Sequence, residues 1–366
     1  MRVEREIAAF AFPFAAGVIA AVILGTSPCI ISLTYPIIAL MATILSSAAL
    51  LHPARKDWDP TWQWTIVSFC ALACGTFIGL SGVELALSDI LEDGNIKRLA
   101  AGCGRRMKDL IDEIPFECSS TNGIIKALLT GDRTNVTPEI TNAFRSSGAS
   151  HILALSGLHL GIIYMIISKS LSVSGNSIRM RRVRSAMIIF ACGLYTLATG
   201  AGASITRAFI FITLKEIAEM TRRCNSLKCI LAASLILHLA IDPTVASDVG
   251  FQLSHAAMIG IAFIFPYLRQ AWKNNSRSLR WIWESASLSI SCQITTGPLA
   301  YIYFGTFPQY FLITNLIAIP LAGIIIPSAL LTLIFSAMGW CPVILIRITE
   351  WVTQTMIGAL DVISLM

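Results

Sequence analysis

Charge is the first thing this chain lacks. Asp, Glu, Lys and Arg make up 13% of its 366 residues, where a soluble domain carries roughly 25%. Hydrophobic residues make up 55%, and the mean hydropathy is +0.72. That balance excludes a soluble globular domain. Most of the length reads as lipid-crossing spans of about 20 residues each. The ten cysteines form no CxxC pair and no His/Cys cluster at zinc spacing, which excludes a zinc module of that kind. Most lie in or beside apolar runs, where cysteine is a small buried hydrophobe. There is no GxxxxGK[ST], so no phosphate-binding loop of that type. An HxHxDH-like metal cluster, an aromatic RNA-binding signature, internal repeats and low-complexity tracts are all missing. The first residues, "MRVEREIAAFAFPFAAGVIAAVILGTSPC", have no clear small-x-small cleavage site. They read as a first transmembrane helix, not as a cleaved signal.

Apolar runs are abundant. They lie at 7–25, 30–51, 62–83, 149–168, 185–200, 203–220, 229–241, 248–268, 282–304, 310–338 and 341–363. The fold class expected is an all-α polytopic membrane protein. It has about ten or eleven transmembrane helices and one mostly helical extramembrane segment. Pro320 and Pro327 inside 310–338 predict a kink or two half-helices, a broken or re-entrant element. The domains expected are a three-helix membrane region over 1–83, an external helical segment over 84–148, and a membrane core over 149–366.

Orientation follows the basic residues. The segment 169–184, "KSLSVSGNSIRMRRVR", holds five Lys/Arg and no acid. The segments 221–228 and 269–280 are basic too, and 52–61 holds Arg55 and Lys56. The connections at 26–29, 201–202, 242–247 and 305–309 contain no Lys or Arg. With a cytoplasmic N-terminus, every basic loop falls inside, as the positive-inside rule asks. The segment 84–148 then falls outside, and so does the C-terminus.

The outer segment has eight basic and ten acidic residues, so it is not a basic patch. "NIKRLAAGCGRRMKDLIDEI" sets Ile96, Leu99, Cys103, Met107, Leu110, Ile111 and Ile114 at helical spacing, an amphipathic helix docked on the protein or on lipid. "NVTPEITNAFRSSG" predicts a helix with Thr137 as N-cap, Pro138 at the first position, Glu139 in the first turn and Gly148 as stop. Cys103 and Cys118 could form a disulfide or remain two thiols.

Polar groups inside spans mark packing seams or paths for solute. In "ASHILALSGLHLGIIY", Ser156 and His159 lie three apart, and Gly157 and Gly161 form GxxxG. One reading is a tightly packed helix. Another is a polar path. A Ser/His hydrolase is the third, and no acid or oxyanion site comes with the pair. Asp248, Gln252 and His255 make one stripe along another span. Arg207 sits near an outer helix end, where a guanidinium suits phosphate, or snorkels to the interface. Lys215 and Glu219 are spaced to pair. Gln293, Thr295, Thr296 and Asn315 add further polar groups beside prolines.

The block "ALLTGDRTNVTPEITNAFRSSGASHILALSGLHLGIIY" resembles the signature of the ComEC family of competence proteins, inner-membrane channels for DNA uptake. "GASITRA", "DPTVASDVGFQLS", "TTGPLAYIYFGTFP" and "NLIAIPLAGIIIP" resemble its later blocks, in the right order. The resemblance covers roughly residues 122–340. It implies a helical channel passing single-stranded DNA through the bacterial inner membrane. His151, Ser156, Gly157, His159, Arg207, Gln252, Ser254, Gln293 and Asn315 are the candidates for its lining. Gly131, Asp132, Arg133, Gly161, Gly250, Phe251, Pro298 and Pro320 are motif positions of structural kind. Two family features are not expected: only about 37 residues of the outer segment precede the matched block, too few for a five-stranded OB-like barrel, and the chain ends in a membrane span, not in a metallo-β-lactamase-like domain. His255 stands where the family commonly has an aromatic. No enzymatic activity, metal or cofactor is expected. The expected partners are single-stranded DNA, the bilayer, and separate receptor, nuclease and motor proteins. The alternative is an ion-coupled transporter of a small solute, with Asp248, His255 or Glu284 as proton carrier.

Overall fold

The structure is a computed structural model that describes residues 2–25, 60–81, 94–172, 177–221, 225–272, 276–305, 307, 309–340 and 342–365. The expected span at 30–51 lies outside these residues. Among them every element is helical and no strand occurs. In chain order the helices are α1 (Arg2–Gly25), α2 (Pro60–Ser81), α3 (Gly94–Asp112), α4 (Ser119–Thr130), α5 (Pro138–Ser146), α6 (Ser150–Leu153) and α7 (Gly157–Leu171). They continue as α8 (Ile178–Ala198), α9 (Ala203–Thr221), α10 (Leu227–Ile241), α11 (Val249–Ala271), α12 (Arg277–Phe304), α13 (Phe311–Ala337) and α14 (Val343–Ser364).

Among the described residues, α11, α13 and α14 are long and apolar enough to cross a membrane. The other expected spans are helices too, but α7 and α10 have only 15 residues each, and α8, α9 and α12 have charged turns at one end. Pro320 and Pro327 do not break α13, which runs unbroken from Phe311 to Ala337. The break falls in the expected span 149–168, which becomes α6, three non-helical residues and α7.

The chain divides into two compact units. The first contains α1, α2, α10 and α11 as far as Met258. Its tightest contact joins α1 to α2. A Cβ added at Gly17 would run into the Leu72 carbonyl, and one at Gly75 into the Phe14 carbonyl. Only glycine lets the two backbones approach so closely. The Ser68 hydroxyl donates to the Ala9 carbonyl at 3.1 Å. Residue 9 therefore faces 68 and residue 17 faces 75, so the helices run parallel, the direction the expected span order requires. Phe14, Val18, Ala71, Leu239 and Phe251 fill the core of this unit.

The second unit holds residues 94–220 and 259–366. Its core draws on α3 to α9, α13 and α14. Met107, Ile111 and Ile114 of the expected amphipathic helix are buried in it. Leu99 and Cys103, expected on the same face, are exposed. The buried line runs instead through Ala100 and Gly104, where a Cβ would stand 3.4 Å from the Ala198 carbonyl of α8. Small residues let α3 lie close, and the larger ones turn away. Within α4, Ile124, Ile125, Ala127, Leu128 and Leu129 are all buried. The Tyr195 hydroxyl of α8 donates to Leu129 O at 3.2 Å. Cys103 and Cys118 are both free, exposed thiols.

Candidate functional site

The helix α5 begins as its sequence predicts. The Thr137 hydroxyl accepts the Ile140 N–H, Pro138 stands at the first position, and Glu139 lies in the first turn. After Ser146 the chain turns through Gly148, at φ +84°, a value that glycine adopts without strain. Ala149 N–H then donates back to Phe144 O at 2.7 Å. One turn of α6 follows, and Ala154 and Ser156 are extended. Ser156 is the N-cap of α7, not a residue of its face. Its backbone N–H donates to His159 Nδ1 at 3.1 Å, and its hydroxyl lies 3.1 Å from the same nitrogen. His159 thus takes the part that Glu or Gln plays in a capping box. With Nδ1 as acceptor, the ring carries its proton on Nε2. His159 is 0% exposed, and its Nε2 has no partner.

Two contacts fix α9 against α7. A Cβ at Gly157 would sit 3.2 Å from the Ala208 Cβ. The Tyr164 hydroxyl donates to Glu216 Oε1 at 2.8 Å, with Lys215 Nζ 4.6 Å above the Tyr164 ring. Residue 157 thus pairs with 208 and 164 with 216, so the helices are parallel and the start of α7 lies beside the second turn of α9. Half-buried Arg207 stands beside that junction. The helix α13 begins at the same end, where the Thr314 hydroxyl donates to Ser147 O at 2.7 Å. Asn315 follows, and its buried Oδ1 has no partner. His151 is exposed there, its Nδ1 3.1 Å from Gly148 O. One end of the second unit therefore gathers His151, Ser156, Gly157, His159, Arg207 and Asn315. A guanidinium, an imidazole N–H and the free N–H groups of a helix start are donors suited to an oxyanion.

The "TGDR" turn is different in kind. Gly131, at φ +77°, closes α4 with its N–H on Ala127 O at 2.9 Å. Asp132 pairs with Lys108 at 2.6 Å and accepts the Thr134 N–H at 3.0 Å and hydroxyl at 2.7 Å. The Lys108 ammonium, then the Thr134 hydroxyl and N–H, hold its carboxyl below the usual carboxylate range. Arg133 is exposed.

The remaining candidates belong to other elements. Gln252 and Ser254 belong to the first unit. There Asp248 caps α11 by accepting the Phe251 N–H at 2.9 Å. Gln252 Nε2 donates to Ala246 O at 2.8 Å, and His255 Nδ1 lies 3.0 Å from Phe251 O. The Phe251 ring stands 4.1 Å from that of His255 and 5.8 Å from that of His238, with Gly250 half-buried beside it. Gln293 lies in α12 with its amide near Gly297, one residue before Pro298. That helix faces a π turn at Gly260–Ile264 of α11, where a Cβ at Gly260 would run into the Ser291 carbonyl. Glu284 pairs with Arg269 at 3.0 Å. Pro320 is inside α13. Gly161 has nothing within 4 Å of an added Cβ.

Sequence reasoning missed several ties. Glu350 of α14 accepts the Cys118 N–H at 2.7 Å and so caps α4, while Gln354 Nε2 reaches Ser120 and Thr121 hydroxyls at 3.0 and 2.9 Å. A carboxylate and an amide four apart in an apolar span were the available signal. The Tyr164–Glu216 bond had a weaker signal, one acid among the charged residues Lys215, Glu216 and Glu219 at the end of α9. Gly123, where a Cβ would run into the Asn135 carbonyl, gave none.

Among the described residues, no group of three or more His, Cys, Asp or Glu could hold a metal ion. The fold is that of a multi-pass helical membrane protein. Residues 128–366 match the family model for competence proteins, and the chain belongs to that family. This supports a membrane transport role of the competence type. The chain is 25% identical to ComE operon protein 3 of Bacillus subtilis (strain 168) over 213 residues, which is 57% of this chain and 24% of that protein. It is 25% identical to the uncharacterized protein YcaI of Escherichia coli (strain K12) over 224 residues, 60% of this chain and 30% of that one. The chain thus aligns with less than a third of the length of either relative. No solved structure matches it.

Proposed function

We propose that this chain is the membrane channel core for single-stranded DNA in natural transformation. It sits in the bacterial inner membrane with its N-terminus in the cytoplasm, and it works with separate receptor, nuclease and motor proteins. The supporting observation is the gathering, at one end of the second unit, of family-motif residues, among which the Arg207 guanidinium and the His159 Nε2–H are donors suited to an oxyanion. Those residues come from blocks far apart in the chain: His151, Ser156, Gly157 and His159 from one, Arg207 from a second, Asn315 from a third. A polyanion crossing lipid needs such donors along its path.

The test is transformation frequency, normalised to membrane protein abundance, in a naturally transformable host deleted for this gene and complemented with variants. Arg207→Glu nearly abolishes uptake at normal abundance, and Arg207→Lys keeps part of it, because Lys retains the charge without the bidentate fork. Normal uptake in a well-expressed Glu variant removes Arg207 from the DNA path.

A second reading, an ion-coupled transporter of a small solute, has Glu216 in its favour. Glu216 is a carboxylate 3% exposed and bonded to Tyr164, and ionisable groups within spans are often proton carriers. Under that reading Glu216→Gln stops proton-coupled solute flux in proteoliposomes while transformation of the host stays normal.

A further inference from the structure

The basic segment that set the orientation contains buried donors without partners, at the opposite end of the unit from Arg207. The helix α8 has two unlike faces. Val183, Met187, Phe190 and Leu194 are exposed, 49–68%, along the line expected to meet lipid. Arg181, Ser185, Ile188, Cys192 and Tyr195 follow the opposite line at helical spacing. Of these, Ser185, Ile188 and Cys192 are 0–1% exposed and Tyr195 7%. Arg181 therefore points toward the interior of the bundle, not toward lipid.

Its guanidinium is only partly met by the protein. Both Nε and one Nη of Arg181 are buried and have no hydrogen-bond partner. An edge made of Nε and one Nη is a side of the fork that takes two oxygens of one oxyanion. One turn further along the same face, the Ser185 hydroxyl is also buried without a partner. A buried guanidinium with idle donors is costly, and an oxyanion would relieve it. The charged side chains nearest in the chain, Lys169, Arg179, Arg182 and Arg184, are basic, while Glu216 and Glu219 are the acids of α9, which packs on α8 through Gly193 and Phe209.

We propose that Arg181 and Ser185 form an inner-mouth site for the phosphodiester of a nucleic-acid strand. The ligand chemistry is an oxyanion that accepts two hydrogen bonds from the guanidinium edge and one from the hydroxyl. An anionic lipid headgroup offers the same chemistry. The inward direction of the pair selects the strand, because a headgroup would approach from the apolar, exposed line of α8. Arg207 and Arg181 then hold phosphates at the two ends of one helical unit. Along α8 those ends are about 27 Å apart at 1.5 Å per residue, close to the hydrocarbon thickness of about 30 Å. The inference rests on the channel reading.

The experiment uses the full chain in nanodiscs of phosphatidylcholine alone, and of phosphatidylcholine with phosphatidylglycerol. It measures binding of a labelled single-stranded oligonucleotide against salt. Arg181→Gln weakens binding about tenfold in both discs and lowers the salt slope by about 0.7. Arg181→Lys keeps the slope and part of the affinity, and it decides the matter should the Gln variant fail to fold. Ser185→Ala weakens binding less, at unchanged slope. Wild-type binding by Arg181→Gln overturns the site, and so does a loss confined to discs with phosphatidylglycerol, which marks a lipid site. If Arg207→Glu stops uptake but Arg181→Gln binds normally, only this inference fails. If the wild type binds no strand and Arg207→Glu transforms normally, the channel reading fails with it.

Discussion

Two turns of the same family block, "TGDR" and "SGLH", both mark helix boundaries, yet they treat their polar groups differently. At Asp132 each partner is local: an ammonium 2.6 Å away, a hydroxyl and an N–H. Gly131 closes a helix, and Arg133 stays outside. That turn holds α3 against the end of α4 and meets the Asp132 carboxylate within the protein. At His159 only one nitrogen is used, to cap α7, and the other is buried without a partner. Motif residues of one family therefore divide into groups whose polar atoms are all met and groups with one left idle, the second being the ligand-facing ones under the proposed function. The division follows hydrogen-bond satisfaction, which sequence spacing does not report.

The largest effect expected is at His159. His159→Asn keeps an acceptor near the position of Nδ1 but has no donor at Nε2. The cap survives, so protein abundance stays near normal, and transformation falls at least about tenfold, as the loss of one hydrogen bond to a charged group predicts. Should uptake simply follow abundance, His159 joins the scaffold and the contrast between the two turns disappears.

Gly131→Ala tests the other side. A non-glycine residue at φ +77° is strained by about 1–2 kcal/mol. Its Cβ would also stand 3.1 Å from the Leu155 Cβ. The melting temperature of the purified protein should drop by several degrees, and uptake per folded molecule should be unchanged. A fall in uptake with no change in melting would move this turn to the ligand-facing class.

How much of this was legible beforehand differs from element to element. The start of α5 was readable in full, because Thr137, Pro138 and Glu139 act through their own backbone and immediate neighbours. The gathering of Ser156, His159 and Arg207 was readable only as a family pattern, since the contact between Gly157 and Ala208 joins residues 51 positions apart. The break before Ser156 was hidden because a serine three residues before a histidine looks the same within a helix as at its cap. Tertiary burial also chose Ala100 and Gly104 over Leu99 and Cys103, which periodicity alone cannot settle. Glu350 and Gln354 could have been singled out as polar groups in an apolar span, but nothing in the sequence named α4 as the element they hold.

A smaller effect is expected from pH at Asp132. Its folded-state pKa is depressed, below an unfolded value near 3.9. The carboxylate therefore stabilises the protein above about pH 4, and this contribution fades as pH falls through that value toward the folded one. The ion pair is partly exposed, at 38% for Lys108 and 17% for Asp132, so its contribution is about 1 kcal/mol or less. Melting curves of wild type and Asp132→Asn in detergent should differ at pH 7, and the gap should narrow as pH falls below about 4 toward the folded value. A gap that persists at low pH would show that Asp132 acts through packing or its turn geometry instead of its charge.

The smallest effect concerns Gly161. Sequence spacing paired it with Gly157 as GxxxG, the pattern of close helix contact. The two glycines part company in the structure. A Cβ at Gly157 would press on Ala208 at 3.2 Å, whereas one at Gly161 meets nothing within 4 Å. Replacing a glycine inside a helix by alanine stabilises by about 0.5–1 kcal/mol when no neighbour objects. Gly161→Ala should therefore raise the melting temperature slightly and leave transformation intact, while Gly157→Ala lowers both. The decisive outcome is a Gly161→Ala variant that melts normally in detergent but loses uptake in cells. Such a result would mean that something outside this chain, a second copy or an accessory subunit, packs against the open face of α7 at Gly161. Gly161 would then belong with the ligand-facing turn and not with the scaffold.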